Sequence, residues 1–163
     1  MSRNDWLIRL AVWTALAGYA AGAAWQLSRR APRWERWARA AWTLGCAALA
    51  AHIAAALGFV HHWSQASVYA ETARQTAAVY GTYWGGGMYV NYALLAGWAA
   101  DATWWWARPA SFHRRSRVWT AVWQGFLLFI IFNATVVFVA GPLRWIGLGL
   151  CAGLLFLWAR PKR

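Results

Sequence analysis

The stretch Val118–Ala140, VWTAVWQGFLLFIIFNATVVFVA, decides the fold. It runs for 23 residues without a charged side chain. A helix needs about 20 apolar residues to cross the hydrocarbon core of a bilayer. Working outward, similar stretches recur at Trp6–Leu27, Ala38–Val60 and Gly86–Ala107, and a shorter one at Leu143–Ala159. Gly141-Pro142 separates the last two and permits a tight hairpin, because proline cannot continue a helix. The expected fold is an all-α integral membrane protein: a bundle of about five transmembrane helices, four plus a short fifth or re-entrant one. The whole chain, 1–163, reads as one polytopic domain.

Composition agrees. Hydrophobic residues make up 61% of the chain and charged residues 12%, against about 25% charged in soluble domains. The net charge is +12, from fifteen Arg and one Lys against four acids. The cations fall in short clusters between apolar stretches, which is membrane topology rather than a nucleic-acid face. Arg29, Arg30, Arg33, Arg36 and Arg39 follow the first stretch; Arg108, Arg114, Arg115 and Arg117 follow the third; Arg160, Lys162 and Arg163 follow the fifth. Five spans place those three clusters on one side, and the positive-inside rule makes that side cytoplasmic. The expected neighbours there are anionic lipids. The N-terminus then lies outside and the C-terminus inside. The Arg, Ala, Gly and Trp bias points to a GC-rich bacterial genome, hence to a bacterial inner membrane. The first span has the small residues of a signal peptide, but the Arg-rich loop directly after it predicts an uncleaved helix.

Sixteen Trp residues suit an interface belt, with Trp34, Trp37, Trp63, Trp84, Trp104, Trp105, Trp106 and Trp119 near the ends of spans. The pairs Gly18/Gly22 and Gly149/Gly153 let helix backbones approach closely, within the chain or between chains. Cys46 and Cys151 sit inside apolar stretches and read as small buried residues. Other membrane subunits or further copies of the chain are the expected protein partners.

The polar residues are concentrated. GFVHHWSQASVYAETARQ, Gly58–Gln75, contains His61, His62 and Glu71, with His52 just before it. Residues 64–80 predict a short amphipathic helix along the outer surface, with Glu71 able to pair with Arg74 or Gln75. His61, His62 and Glu71 are candidate metal ligands, since imidazole is the commonest side-chain ligand, but adjacent His residues on a helix diverge by about 100°. His52, His61, His62, Met88 and Tyr83 are candidate contacts to a haem or a quinone head group. A bis-His haem within one chain lacks a second His at matching depth, which leaves His61 or His62 with Met88.

Inside the spans lie Asp101, Asn91, Gln124 and Asn133. An intramembrane acid is a functional hypothesis by default, and Arg108, seven residues on, is the expected partner of Asp101. Gln124 and Asn133, nine apart, fall on opposite faces of a straight helix. No nucleotide loop, zinc motif or nucleophile elbow is present, so stand-alone catalysis is not expected. The leading expectation is a small subunit of a larger membrane complex, energy-transducing or electron-transferring, whose outer His/Tyr/Glu cluster contacts a metal, haem or quinol. The alternatives are a small transporter or channel with a polar path around Asp101 and a membrane enzyme using an outer-face metal.

Overall fold

A computed structural model describes residues 3–28, 32–139 and 141–160. Arg29, Arg30, Ala140, Lys162 and Arg163 lie outside the described residues, as does the side chain of Arg3. The described chain is all-α, with seven α-helices: α1 (Arg3–Ser28), α2 (Glu35–Ala55), α3 (Gln65–Tyr80), α4 (Gly87–Ala107), α5 (Pro109–His113), α6 (Arg117–Phe132) and α7 (Leu143–Ala159). Three helical stretches are long and apolar enough to cross a membrane: Asp5–Ser28, Pro32–Val60 and Arg117–Val137. This is the pattern of a membrane protein. α7 is apolar but shorter, at 17 residues. α4 matches α2 in length at 21 residues, but its four Trp, two Tyr, Asn91 and Asp101 dilute its hydropathy with N–H, O–H and carboxyl groups.

α2 and α6 end alike. Each widens into a looser final turn, at Ala56–Val60 and Asn133–Val137, where the amide N–H reaches five residues back: His61 to the Ala56 carbonyl at 3.2 Å and Phe138 to Asn133 at 3.0 Å. Such wide turns recur near functional sites. After the first of them His62 and Trp63 adopt φ of +48° and +62°, a left-handed conformation that costs non-glycine residues energy. α3 is then capped by Ser64, whose side chain accepts from the Ser67 N–H at 3.2 Å. It ends on Gly81, whose φ of +73° few side chains tolerate.

Helix packing follows from small residues, since lipid gives little hydrophobic drive between helices and close backbone contact supplies the attraction. α1 and α2 form the closest pair: a Cβ on Gly18 would lie 2.5 Å from the Ala41 carbonyl oxygen and 2.6 Å from the Gly45 Cα. α4 lies against α2, and α7 against both α1 and α6. Gly97 of α4 receives the Trp123 ring of α6. Within the chain the second glycine pair makes no seam: a Cβ on Gly149 or Gly153 would meet nothing within 4 Å, and α7 approaches through Gly147, which faces Thr135. Cys46 and Cys151 are buried free thiols.

The Trp residues divide. Trp34, Trp37, Trp63, Trp84, Trp106 and Trp119 are exposed near the helix ends. Trp105, expected in the belt, is fully buried and stacks on Phe112 at 4.8 Å between ring centroids. The core is aromatic at mid-bundle too, where Tyr19, Trp42 and Trp98 meet at 5.1–6.0 Å. α5 was not expected. Pro109 at its first position pre-sets helical φ and folds the basic loop back over the end of the bundle, where Phe112 is buried.

Candidate functional site

A cavity of about 230 Å³ lies between α1, α2, α3, α4 and α6, at the end of the bundle that α3 covers. Its walls are mostly aliphatic, with Leu16, Leu49, Leu57, Leu127 and Ile131 among them. Val68 and Thr72 of α3 close it from above, and Trp98 and Tyr19 lie at its deeper end. Four of the candidates line this cavity together: His52, His61, Met88 and Asn91. His52 is anchored through Nδ1 to the Ile8 carbonyl oxygen at 3.0 Å, and His61 through Nδ1 to the Ser67 hydroxyl at 3.0 Å. Each anchor fixes a ring and leaves the second nitrogen without a partner among the described residues. Met88 is buried, while Asn91 stands exposed at the edge. Tyr92 also lines the cavity and donates its hydroxyl to Gln65 Oε1 at 2.8 Å, tying α4 to α3. The chemistry on offer is an apolar slot with a few hydrogen-bonding groups on its rim.

The other candidates between residues 58 and 83 do not join it. His62 is exposed on its left-handed backbone, and Tyr83 is exposed beyond the end of α3. Glu71 is engaged on both oxygens: Arg74 donates from two nitrogens to Oε2, through Nε at 3.1 Å, and Gln75 donates to Oε1 at 3.0 Å. Those hydrogen bonds hold the Glu71 carboxyl below the usual glutamate range, and the hydrogen bond to Glu71, then its charge, raises Arg74 in turn. Among the described residues no three His, Cys, Asp or Glu side chains group as a metal site.

At the opposite end of the bundle lies a second polar constellation. Asp101 pairs with Arg115, not Arg108, at 2.9 Å between Oδ1 and Nη1, with side chains 5% and 6% exposed. α4 stops at Ala107, and Arg108 leaves helical geometry with φ −140° and ψ 64°, so its same-face relation to Asp101 is lost. Arg115 also donates to Gln26 Oε1 at 2.7 Å and to Thr120 Oγ1 at 3.1 Å, and lies over the Phe112 ring at 4.1 Å. Gln124 donates to the same Gln26 oxygen at 3.0 Å. One guanidinium thus links α1, α4, α5 and α6. Asp101 Oδ2, Gln124 Oε1 and Gln26 Nε2 are buried without a partner. The indole N–H groups of Trp42 and Trp123 are likewise buried without a partner. Nearby, Glu35 Oε1 accepts from the Trp105 indole at 3.1 Å, bonds His113 Nε2 at 3.0 Å, and lies 3.6 Å from Arg39.

Of the intramembrane candidates, Asp101 and Gln124 therefore share one network, while Asn91 edges the cavity. Asn133 accepts from the Tyr80 hydroxyl at 2.9 Å, joining α3 to the end of α6. Sequence reading missed Arg115 and Gln26. Arg115 sits among Arg114 and Arg117 and reads as a solvated topology charge; only the fold-back through α5 turns it inward. Gln26 lies where a span meets its loop and carries no local signal. No family model matches the chain, and neither a curated protein nor a solved structure matches it.

Proposed function

We propose that this chain is a small multi-pass subunit of a bacterial inner-membrane complex, and that its α3-end cavity receives a compact apolar ring with a hydrogen-bonding head, of the quinol class. One observation carries the reading: the cavity gathers His52, His61, Asn91 and Tyr92 around an otherwise aliphatic slot. Ligand pockets have this character, apolar walls with a few placed polar groups. At about 230 Å³ the slot is smaller than the roughly 300–1,000 Å³ of drug-sized sites. That suits one ring better than a haem macrocycle. In this reading α4 and α7 cross the bilayer with the three longer stretches, α3 lies on the periplasmic surface, and the Arg-rich loops and C-terminus face the cytoplasm. The exposed aromatic faces meet lipid and partner subunits.

Photolabelling tests it. A short-tailed benzoquinone bearing an azide should cross-link within residues 49–61 and 88–98, and excess unlabelled benzoquinol should suppress the adduct. Labelling spread over lipid-facing positions, or insensitive to competition, would overturn the assignment.

A second reading rests on the Asp101–Arg115 pair. A buried ion pair between membrane helices is costly and often marks a transport path. Here it lies between the cavity and a basin at the opposite end. In that reading Asp101→Asn stops dye-reported proton flux into proteoliposomes; wild-type flux in the variant would count against it.

A further inference from the structure

The α5 end of the bundle carries a basin of about 630 Å³ that neither reading uses as a binding site. One wall is polar and cationic, with Arg115, Arg117, His113 and Thr120; the other is aromatic and aliphatic, with Trp25 and Trp158. Arg115 is immobilised by Asp101, Gln26, Thr120 and Phe112. Glu35, the acid on this wall, is already engaged by Trp105, His113 and Arg39. Arg117 is exposed and has no acidic partner among the described residues. The basin therefore presents a cation without a counter-charge. Past Trp25, which borders both, it adjoins an apolar groove lined by Ala21, Ala24, Ala41 and Leu157.

We infer that this basin and groove form a binding site for an anionic phospholipid, its phosphate on Arg117 and the rim of the basin, one acyl chain along the groove past Trp25. Charge complementarity selects the head group: basic pockets between membrane helices at the cytoplasmic face hold anionic lipid heads. The adjoining apolar groove selects an amphiphile over a free anion. Helices α1, α2, α6 and α7 all border this site at one end of the bundle, so a bound lipid would touch all four. The site is independent of the cavity under α3.

Native mass spectrometry of the full, delipidated chain in a neutral detergent tests this, with phosphatidylglycerol, phosphatidylcholine and inorganic phosphate as separate probes. Phosphatidylglycerol should bind with an affinity about fivefold or more above phosphatidylcholine, the factor expected for one uncompensated cation near the surface. Arg117→Gln should remove that preference, and Trp25→Ala should weaken both lipids. Arg108→Gln, which changes the same charge at the same end away from the basin, should leave it intact. Equal binding of the two lipids, or equal losses in Arg117→Gln and Arg108→Gln, would overturn the site in favour of general surface charge. Inorganic phosphate binding as tightly as the lipid would overturn the amphiphile.

Discussion

The Asp101–Arg115 pair shows what single residues contribute. Removing one partner of a buried pair leaves an uncompensated charge, which costs about 3–5 kcal/mol, whereas replacing both with apolar groups of similar volume is often neutral. Asp101→Ala should therefore lower the thermal unfolding midpoint of the detergent-solubilised protein strongly, and Asp101→Leu combined with Arg115→Met should recover most of the loss. An additive double variant would show that the two do not act as a pair. Sequence alone flagged Asp101 through its charge inside a span. It did not find the partner, because same-face spacing holds only while a helix continues, and α4 ends before Arg108. The approach of Arg115 depends on a five-residue helix too short to show a periodicity.

Elements were more legible than contacts. The apolar stretches mark the long helices and the two-faced pattern of residues 64–80 marks α3, since burial pattern is a local property. Which glycines pack is not local. GYAAG and GLCAG look alike, yet only Gly18 and Gly22 face another helix closely. Gly18→Ala should accordingly force α1 and α2 apart and lower stability. Gly149→Ala should be neutral or stabilise by up to about 1 kcal/mol through helix propensity. Paired melting curves decide between them; equal shifts would contradict the packing described. At α3, the Glu71 pairing favours the ionised carboxyl, so its folded value lies below the unfolded one. The stabilisation is present in full above the unfolded value and is lost as pH falls through the folded value. Hydrogen exchange in α3 should rise under acid relative to α2. Glu71→Gln should exchange faster than wild type at neutral pH and lose much of that acid response. An acid response as large in Glu71→Gln as in wild type would remove this role.

For the whole molecule, the charge clusters predict orientation and the bundle predicts the site. Under the proposed topology, Gln75→Cys on α3 should react with an impermeant thiol reagent on intact cells. Arg114→Cys should react only after the membrane is opened. The reverse pattern would invert the protein. The cavity under α3 was only half legible. His52, His61, Met88 and Asn91 were singled out by type, but His62, Glu71 and Tyr83 were grouped with them by sequence proximity, and the left-handed turn at His62, the outward face of α3 at Glu71 and the loop at Tyr83 separate them. The aliphatic walls that make the cavity a slot come from five helices and leave no trace in any one segment.

The most direct measurement is equilibrium binding of a short-tailed benzoquinol to the purified full chain, followed by isothermal titration calorimetry, alongside Ala56→Phe, which fills the slot, and the double variant His52→Phe/His61→Phe, which removes its imidazoles. The account predicts saturable one-to-one binding by the wild type, loss of it in Ala56→Phe, and at least about tenfold weaker binding without the imidazoles, at roughly 1 kcal/mol per hydrogen bond. No saturable binding by the wild type, or binding that Ala56→Phe leaves unchanged, would contradict it.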